Sequence, residues 1–230
     1  MKKYLPDDIA RVIDHTLLKS DAKEDDVFRL CEEALRYGFC SVCISPVFVA
    51  KAREFLRGST VRVCTVVGFP TGAVLTSVKV YEAIEAVLHG ADELDIVMNT
   101  GMAKMGRWND LKREIESIVM ASSKVVHKII LETGCLQDEE ISKASQSAVE
   151  AGAEFIKTST GFGPRGATVR DIELMREAVS GRAAIKAAGG IKTLEQVVSF
   201  LQAGADRIGT SSGVKIIKTV AGWKRKDVAG

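Results

Sequence analysis

One short motif occurs three times and constrains the fold more than any other feature of the chain. Gly90-Ala91-Asp92, Gly152-Ala153-Glu154 and Gly204-Ala205-Asp206 each follow a helical stretch and precede an apolar run. A glycine just past a helix takes the left-handed conformation that ends it, and the chain then turns straight into a strand. This is the return turn of a repeated strand–helix unit. Apolar runs predict strands over 12–14, 41–44, 61–67, 93–98, 126–131, 155–158, 183–187 and 206–208. Eight units in 230 residues leave ~29 residues each, which suits a single (β/α)8 barrel domain spanning residues 1–230. A doubly wound open sheet also alternates strand and helix, so chain economy alone favours the barrel only modestly.

The intervening segments read as one-sided helices. Leu194, Val197, Val198 and Leu201 form the i, i+3, i+4, i+7 stripe of a helix buried on one face, with Thr193 and Gln196 as its capping box. Val80, Ile84, Val87 and Leu88 mark another such helix. Hydrophobic residues make up 46 % of the chain, enough for a substantial core. The formal net charge is only +2, so bulk electrostatics argue against nucleic acid or an anionic membrane as partner. No apolar run reaches the ~18 residues of a membrane span. Met1-Lys2-Lys3 leads into Tyr4-Leu5-Pro6-Asp7-Asp8 without the apolar core of a secretory signal. The five cysteines are odd in number and unevenly spaced, which reads as free thiols in a cytoplasmic protein.

Parallel strands covered on both faces should be almost continuously apolar. Here Asp95, Lys128, Lys157 and Lys186 interrupt strands four to seven, and Asp14 is expected to close strand one. Each could lie at a strand end and reach water. Lysines in three successive strands, with an aspartate in the strand before, argue instead for charges that meet inside a barrel. Two adjacent ammonium groups disfavour each other's protonation, so one is driven toward the neutral amine. A neutral amine attacks a carbonyl and forms a Schiff base, and the protonated imine withdraws electrons from the neighbouring carbon. A carboxylate such as Asp95 can move protons in the same site.

Glycines cluster in Lys186-Ala187-Ala188-Gly189-Gly190 and Ile208-Gly209-Thr210-Ser211-Ser212-Gly213. Either loop alone could be an ordinary turn. Together they sit where barrels often hold phosphate, on backbone N–H groups after strands seven and eight. Other signals are weaker. Gly161-Phe162-Gly163-Pro164-Arg165-Gly166 matches G-x-G-x-x-G, but no acidic residue follows at the required strand end, so it reads as a mobile loop beside the site. Cys40 and Cys43 lie at a strand rather than a helix start, which argues against a redox pair, although Cys43 could still line the barrel. His15, His89 and His127 are scattered, which disfavours a metal hydrolase. His127 should face away from its neighbour Lys128. Trp223-Lys224-Arg225-Lys226-Asp227 reads as a solvated basic end.

Taken together, several segments resemble the deoxyribose-phosphate aldolase family of class I aldolases. They are Ile13-Asp14-His15-Thr16, Ser41-Val42-Cys43-Ile44-Ser45-Pro46, Gly68-Phe69-Pro70, Glu93-Leu94-Asp95-Ile96-Val97-Met98-Asn99, Lys128-Ile129-Ile130-Leu131-Glu132, Phe155-Ile156-Lys157-Thr158-Ser159-Thr160-Gly161-Phe162, Ile185-Lys186-Ala187-Ala188-Gly189-Gly190 and Ile208-Gly209-Thr210-Ser211-Ser212. The resemblance implies a Schiff base on Lys157, with Lys186 tuning it and sharing proton transfer with Asp95. Asp14 and Lys128 would complete the polar network. Gly189, Gly190, Gly209, Ser211 and Ser212 would hold the substrate phosphate with Thr160 and Gly161. The implied reaction cleaves 2-deoxy-D-ribose 5-phosphate reversibly to acetaldehyde and glyceraldehyde 3-phosphate, in the cytoplasm, without metal or cofactor. Dimers or tetramers are expected from the same resemblance. The chain departs from some members at its end, where Asp227-Val228-Ala229-Gly230 stands in place of a tyrosine that reaches the site. Ala187 stands where proline is also common. Two competing readings remain: another class I aldolase or transaldolase with a different donor, and a non-catalytic sugar-phosphate-binding barrel. The second has no use for both strand lysines.

Overall fold

The computed structural model describes residues 4–220. The basic run at 223–227 and the last four residues lie outside the described residues. Eight parallel strands close into a barrel in sequence order. They are β1 Ile13–Leu17, β2 Ser41–Ile44, β3 Arg62–Val67, β4 Glu93–Val97, β5 Val126–Ile130, β6 Phe155–Lys157, β7 Ala184–Ala188 and β8 Arg207–Thr210. Between and around them run α1 Pro6–Ala10, α2 Glu24–Tyr37, α3 Val49–Phe55, α4 Thr76–Leu88, α5 Thr100–Lys104, α6 Trp108–Ala121, α7 Asp138–Glu150, α8 Val169–Val179, α9 Leu194–Gln202 and α10 Gly213–Thr219. The expected (β/α)8 architecture is therefore the one observed, and the open-sheet alternative falls with the β1–β8 pairing. Asp14 is the second residue of β1, so it opens that strand instead of closing it.

The repeated motif has a structural reason beyond its glycine. Gly90, Gly152 and Gly204 all have positive φ, at 99°, 95° and 108°. The acid that follows bonds the backbone of the neighbouring strand at both ends of one residue. Asp92 N–H donates to Val63 O at 2.8 Å while its carboxylate accepts Val63 N–H at 2.9 Å. Glu154 does the same to His127, at 3.2 and 2.8 Å, and Asp206 to Ile185, both at 2.8 Å. Each repeat therefore sets the register of one strand on the next. His127 points outward to Ser122 and Glu154, opposite to Lys128 as expected.

The apolar core lies between barrel and helices. Leu94, Ile96, Ile129, Ile156, Ile185 and Ile208 are fully buried there with Ile115, Ile118, Ile141, Ile172 and Met175. These strand residues alternate with the inward charges, as the two-residue period of a strand demands. The capping box at α9 is present, with Thr193 accepting from Gln196 N–H. The predicted α4 stripe holds in part, since Val80 and Val87 pack against the core. Lys79, Ala83 and Ala86 form its buried face, while Leu88 is 73 % exposed. Leu88 belongs instead to an outer apolar stripe with Val78 and Tyr81. All five cysteines are free.

Candidate active site

The barrel interior holds a continuous chain of charge. Lys157 and Lys186, paired across β6 and β7, both donate to Asp95 Oδ2, at 2.6 and 2.7 Å. Their nitrogens cannot be further apart than those two bonds laid end to end. Lys128 donates to Asp95 Oδ1 at 3.0 Å and forms an ion pair with Glu93 at 2.6 Å. Lys186 also reaches Asp14 at 2.6 Å. Arg207 bridges Asp14 and Glu93. Asp14, Glu93, Asp95, Lys128 and Lys186 are completely buried, and Lys157 is 3 % exposed. Of the five expected charges, only Lys157, the last residue of β6, keeps any exposure.

The electrostatics follow from that geometry. Burial would raise the carboxyl of Asp95, but Lys128, Lys157 and Lys186 outweigh it and hold the carboxyl well below its ordinary range. Burial would likewise raise Asp14, and Lys186 and Arg207 pull it down instead. Burial pushes Lys186 toward the neutral amine, yet Asp14 and Asp95 more than compensate, so Lys186 is held as an ammonium. Lys128 is held charged in the same way, by Asp95 and Glu93. The chamber thus contains three carboxylates (Asp14, Glu93, Asp95) and four basic groups (Lys128, Lys157, Lys186, Arg207). Of the four, only Lys157 lines the mouth of the barrel.

That mouth is a cavity of about 230 Å³. Thr160, Gly161, Gly189, Gly190, Gly209 and Ser211 line it as the sequence led us to expect. Ser212 does not line it; its N–H donates to Thr210 Oγ1 at 2.9 Å at the head of α10. Gly189 and Gly190 have φ of 92° and 73°, a conformation reached at little cost only by glycine. Gly209 is needed for a different reason: a Cβ there would lie 3.1 Å from Lys186 Cε. Lys19 and Lys192 stand at the rim, two exposed cations that sequence reading missed. The loop at 161–166 is flanked by two hydrogen bonds, from Ala167 N–H to Ala188 O at 3.1 Å and from Arg165 to Thr133 O at 3.1 Å.

Cys43 does line the barrel, with Sγ 3.9 Å from Asp95 Oδ2, but it is not among the residues of the mouth. It is fully buried in a small cluster with Cys64 and Val66, packed by Leu18 and Phe69. A hydrogen bond from Cys64 lowers its pKa, while burial raises that of Cys64. Cys43, Cys64 and Asp95 bring one ligand atom each within 4.8 Å of one another. They are a poor metal site, because both Asp95 oxygens already accept from lysines and a dication would meet the ammonium groups of Lys128 and Lys186. Glu93 and Arg207 also escaped the sequence reading. Glu93 lies two residues before Asp95, so strand alternation places it on the same inner face.

Residues 9–219 match the family model described as DeoC/LacD family aldolase. The chain belongs to the DeoC/LacD aldolase family. Membership makes it an aldolase, a carbon–carbon lyase. The deoxyribose-phosphate aldolase of Caldanaerobacter subterraneus subsp. tengcongensis is 51 % identical over 221 residues, covering 95 % of this chain and 94 % of that one. The deoxyribose-phosphate aldolase of Thermococcus gammatolerans is 51 % identical over 219 residues, covering 92 % and 96 %. Among solved structures, the aldolase QR15 superposes with a TM-score of 0.88 at 44 % identity, covering 92 % of this chain and 95 % of that one. Deoxyribose phosphate aldolase from Aeropyrum pernix, described as a unique tetramer, superposes at 0.87 with 36 % identity, covering 94 % and 92 %. The DeoC/LacD aldolases therefore share both the barrel and the sequence along almost its whole length.

Proposed function

We propose that the chain cleaves 2-deoxy-D-ribose 5-phosphate reversibly to D-glyceraldehyde 3-phosphate and acetaldehyde through a Schiff base on Lys157. The observation that carries this reading is the single Asp95 oxygen accepting from both Lys157 and Lys186. Lys157 is the basic group at the cavity, and its neutral amine attacks the substrate aldehyde carbon. Loss of water leaves a protonated imine. That imine draws electrons from the bond between the second and third carbons as the third-carbon hydroxyl gives up its proton. Glyceraldehyde 3-phosphate departs, the remaining enamine takes a proton, and water releases acetaldehyde. Asp95 and Lys186 are the groups in reach of Lys157 for these proton transfers, and Asp14 and Lys128 keep them charged. Gly189, Gly190, Gly209 and Ser211 offer the phosphate site, with Lys19 and Lys192 adding charge at the rim.

The whole chain acts in this reading as one catalytic barrel in the cytoplasm, using no metal or cofactor. The outer stripe of α4, with Tyr81 64 % and Leu88 73 % exposed, suits a contact with a second copy. Borohydride reduction in the presence of acetaldehyde, followed by peptide mass mapping, tests the chemistry. One adduct on Lys157 is expected. An adduct elsewhere, or a preference for a ketone donor such as dihydroxyacetone, would overturn the assignment in favour of another class I aldolase.

A further inference from the structure

Glu132 stands just beyond β5 in a conformation that non-glycine residues rarely take, with φ of 56°. Its neighbours explain the geometry. Leu131 N–H donates to Lys157 O at 3.0 Å, and Thr133 N–H donates to Thr158 O at 2.9 Å. Two residues on the β5 side thus answer one on the β6 side, and Glu132 is the extra residue of that bulge. The bulge turns its side chain toward the loop after Lys157. Glu132 is 6 % exposed. Its Oε2 accepts Thr160 N–H at 3.2 Å and also the Thr160 hydroxyl. Its Oε1 is buried with no hydrogen-bond partner. Gly163 makes room for the carboxylate, since a Cβ there would lie 2.6 Å from Oε1. A strained, buried carboxylate beside a reaction chamber is a feature that surrounding structure must sustain for a purpose.

We propose that Glu132 is a positioning residue that fixes Thr160 as a hydrogen-bond acceptor and so selects aldehydes carrying a hydroxyl beside the reacting carbon. This rests on the function proposed above. A threonine hydroxyl has one proton and two lone pairs. The proton goes to Glu132, and one lone pair takes Phe162 N–H at 3.0 Å. What remains for the cavity is a lone pair, which welcomes a substrate O–H and repels a phosphate or carbonyl oxygen. Thr160 lines the cavity together with Lys157 and Gly189. The hydroxyl it receives therefore lies between the carbon attacked by Lys157 and the phosphate, where glyceraldehyde 3-phosphate carries one.

The test compares wild type, Glu132→Ala and Glu132→Gln, the last keeping a carbonyl oxygen that can still hold Thr160. kcat and KM are measured for acetaldehyde addition to glyceraldehyde 3-phosphate and to 3-oxopropyl phosphate, which lacks the hydroxyl. Amide hydrogen exchange across 159–163 is followed in the same three proteins. Wild type and Glu132→Gln should prefer the hydroxylated acceptor at least tenfold in kcat/KM, since a built hydrogen-bond site rejects the analogue that leaves it empty. Glu132→Ala should lose most of that preference, chiefly through KM, and exchange faster at Thr160. An unchanged preference and unchanged exchange in Glu132→Ala would overturn the proposal, as would a Glu132→Gln protein indistinguishable from Glu132→Ala. If wild type adds acetaldehyde to neither acceptor, the proposed function fails and the selectivity claim with it. The exchange data would still decide whether Glu132 holds Thr160.

Discussion

Lys79 and Glu114 form an ion pair 2.8 Å long that is buried outside the barrel chamber, between α4 and α6. Lys79 also donates to Val97 O at 2.9 Å, and Glu114 accepts Asn99 N–H at 3.1 Å. The pair therefore clamps the end of β4, two residues beyond Asp95. Removing one partner leaves a buried charge uncompensated, which costs ~3–5 kcal/mol. Glu114→Ala should lose stability of that order in urea denaturation, whereas Lys79→Met combined with Glu114→Leu should lose much less. Equal losses in the two proteins would show that the clamp, and not the stranded charge, sets the cost.

Lys186→Leu removes the ammonium that Asp14 and Asp95 hold beside Lys157. Turnover at neutral pH should fall at least ~100-fold, because Lys157 loses its neighbouring proton-transfer partner. Lys157→Leu should abolish turnover and the borohydride adduct together. Steady-state rates from pH 6 to 10 check the first claim, and normal activity near pH 7 in Lys186→Leu would remove the cationic neighbour from the mechanism.

The chamber also sets how stability depends on pH. Asp14 and Asp95 have folded pKa values below their unfolded ~3.9, so their contribution is complete above that value and is lost as pH falls through the folded ones. Lys186 has a folded pKa above its unfolded ~10.4, so its contribution is complete below that value and is lost as pH rises through the folded one. Urea midpoints should therefore form a plateau from about pH 5 to about pH 10 and decline on both sides. A sharp optimum inside that window would contradict the charge pattern described here.

Gly209→Ala probes the fit of the chamber without backbone strain. The added methyl would approach Lys186 Cε and Ala188 Cβ, each at 3.1 Å. Small overpacking of this kind costs ~1–3 kcal/mol. The expected outcome is a folded protein with turnover reduced about tenfold through displacement of Lys186. Full activity would mean that Lys186 can shift without consequence.

The outer stripe of α4 offers a test of assembly. Tyr81→Lys with Leu88→Glu should lower the mass measured by light scattering on a sizing column if this face joins copies of the chain. A mass unchanged by the pair would assign the contact to another face.

Much of this was legible in the sequence because strand alternation exposes any charge set inside an apolar run. Asp95, Lys128, Lys157 and Lys186 stand out for that reason, and all four meet as expected. Glu93 and Arg207 open their strands, where a charge looks like an ordinary boundary, so only the two-residue step from Asp95 to Glu93 could have betrayed one of them. Lys79 was hidden because a helix normally turns lysine to solvent, and its partner Glu114 lies on another helix. Leu88 was misplaced because hydrophobic spacing on α4 cannot tell a core face from an outer one. Thr160 was readable as a cavity residue. Its dependence on Glu132 was not, since it arises from a bulge that no local pattern announces.

Asp14 reaches Arg207 across 193 positions of chain and Lys186 across the seam where the last strands meet the first. During synthesis, the first strand therefore emerges from the ribosome long before either neutralising group exists. A nascent chain that stops short of β7 has an acid with nowhere dry to go, and the cylinder has an electrostatic reason to remain open until its last two staves are made.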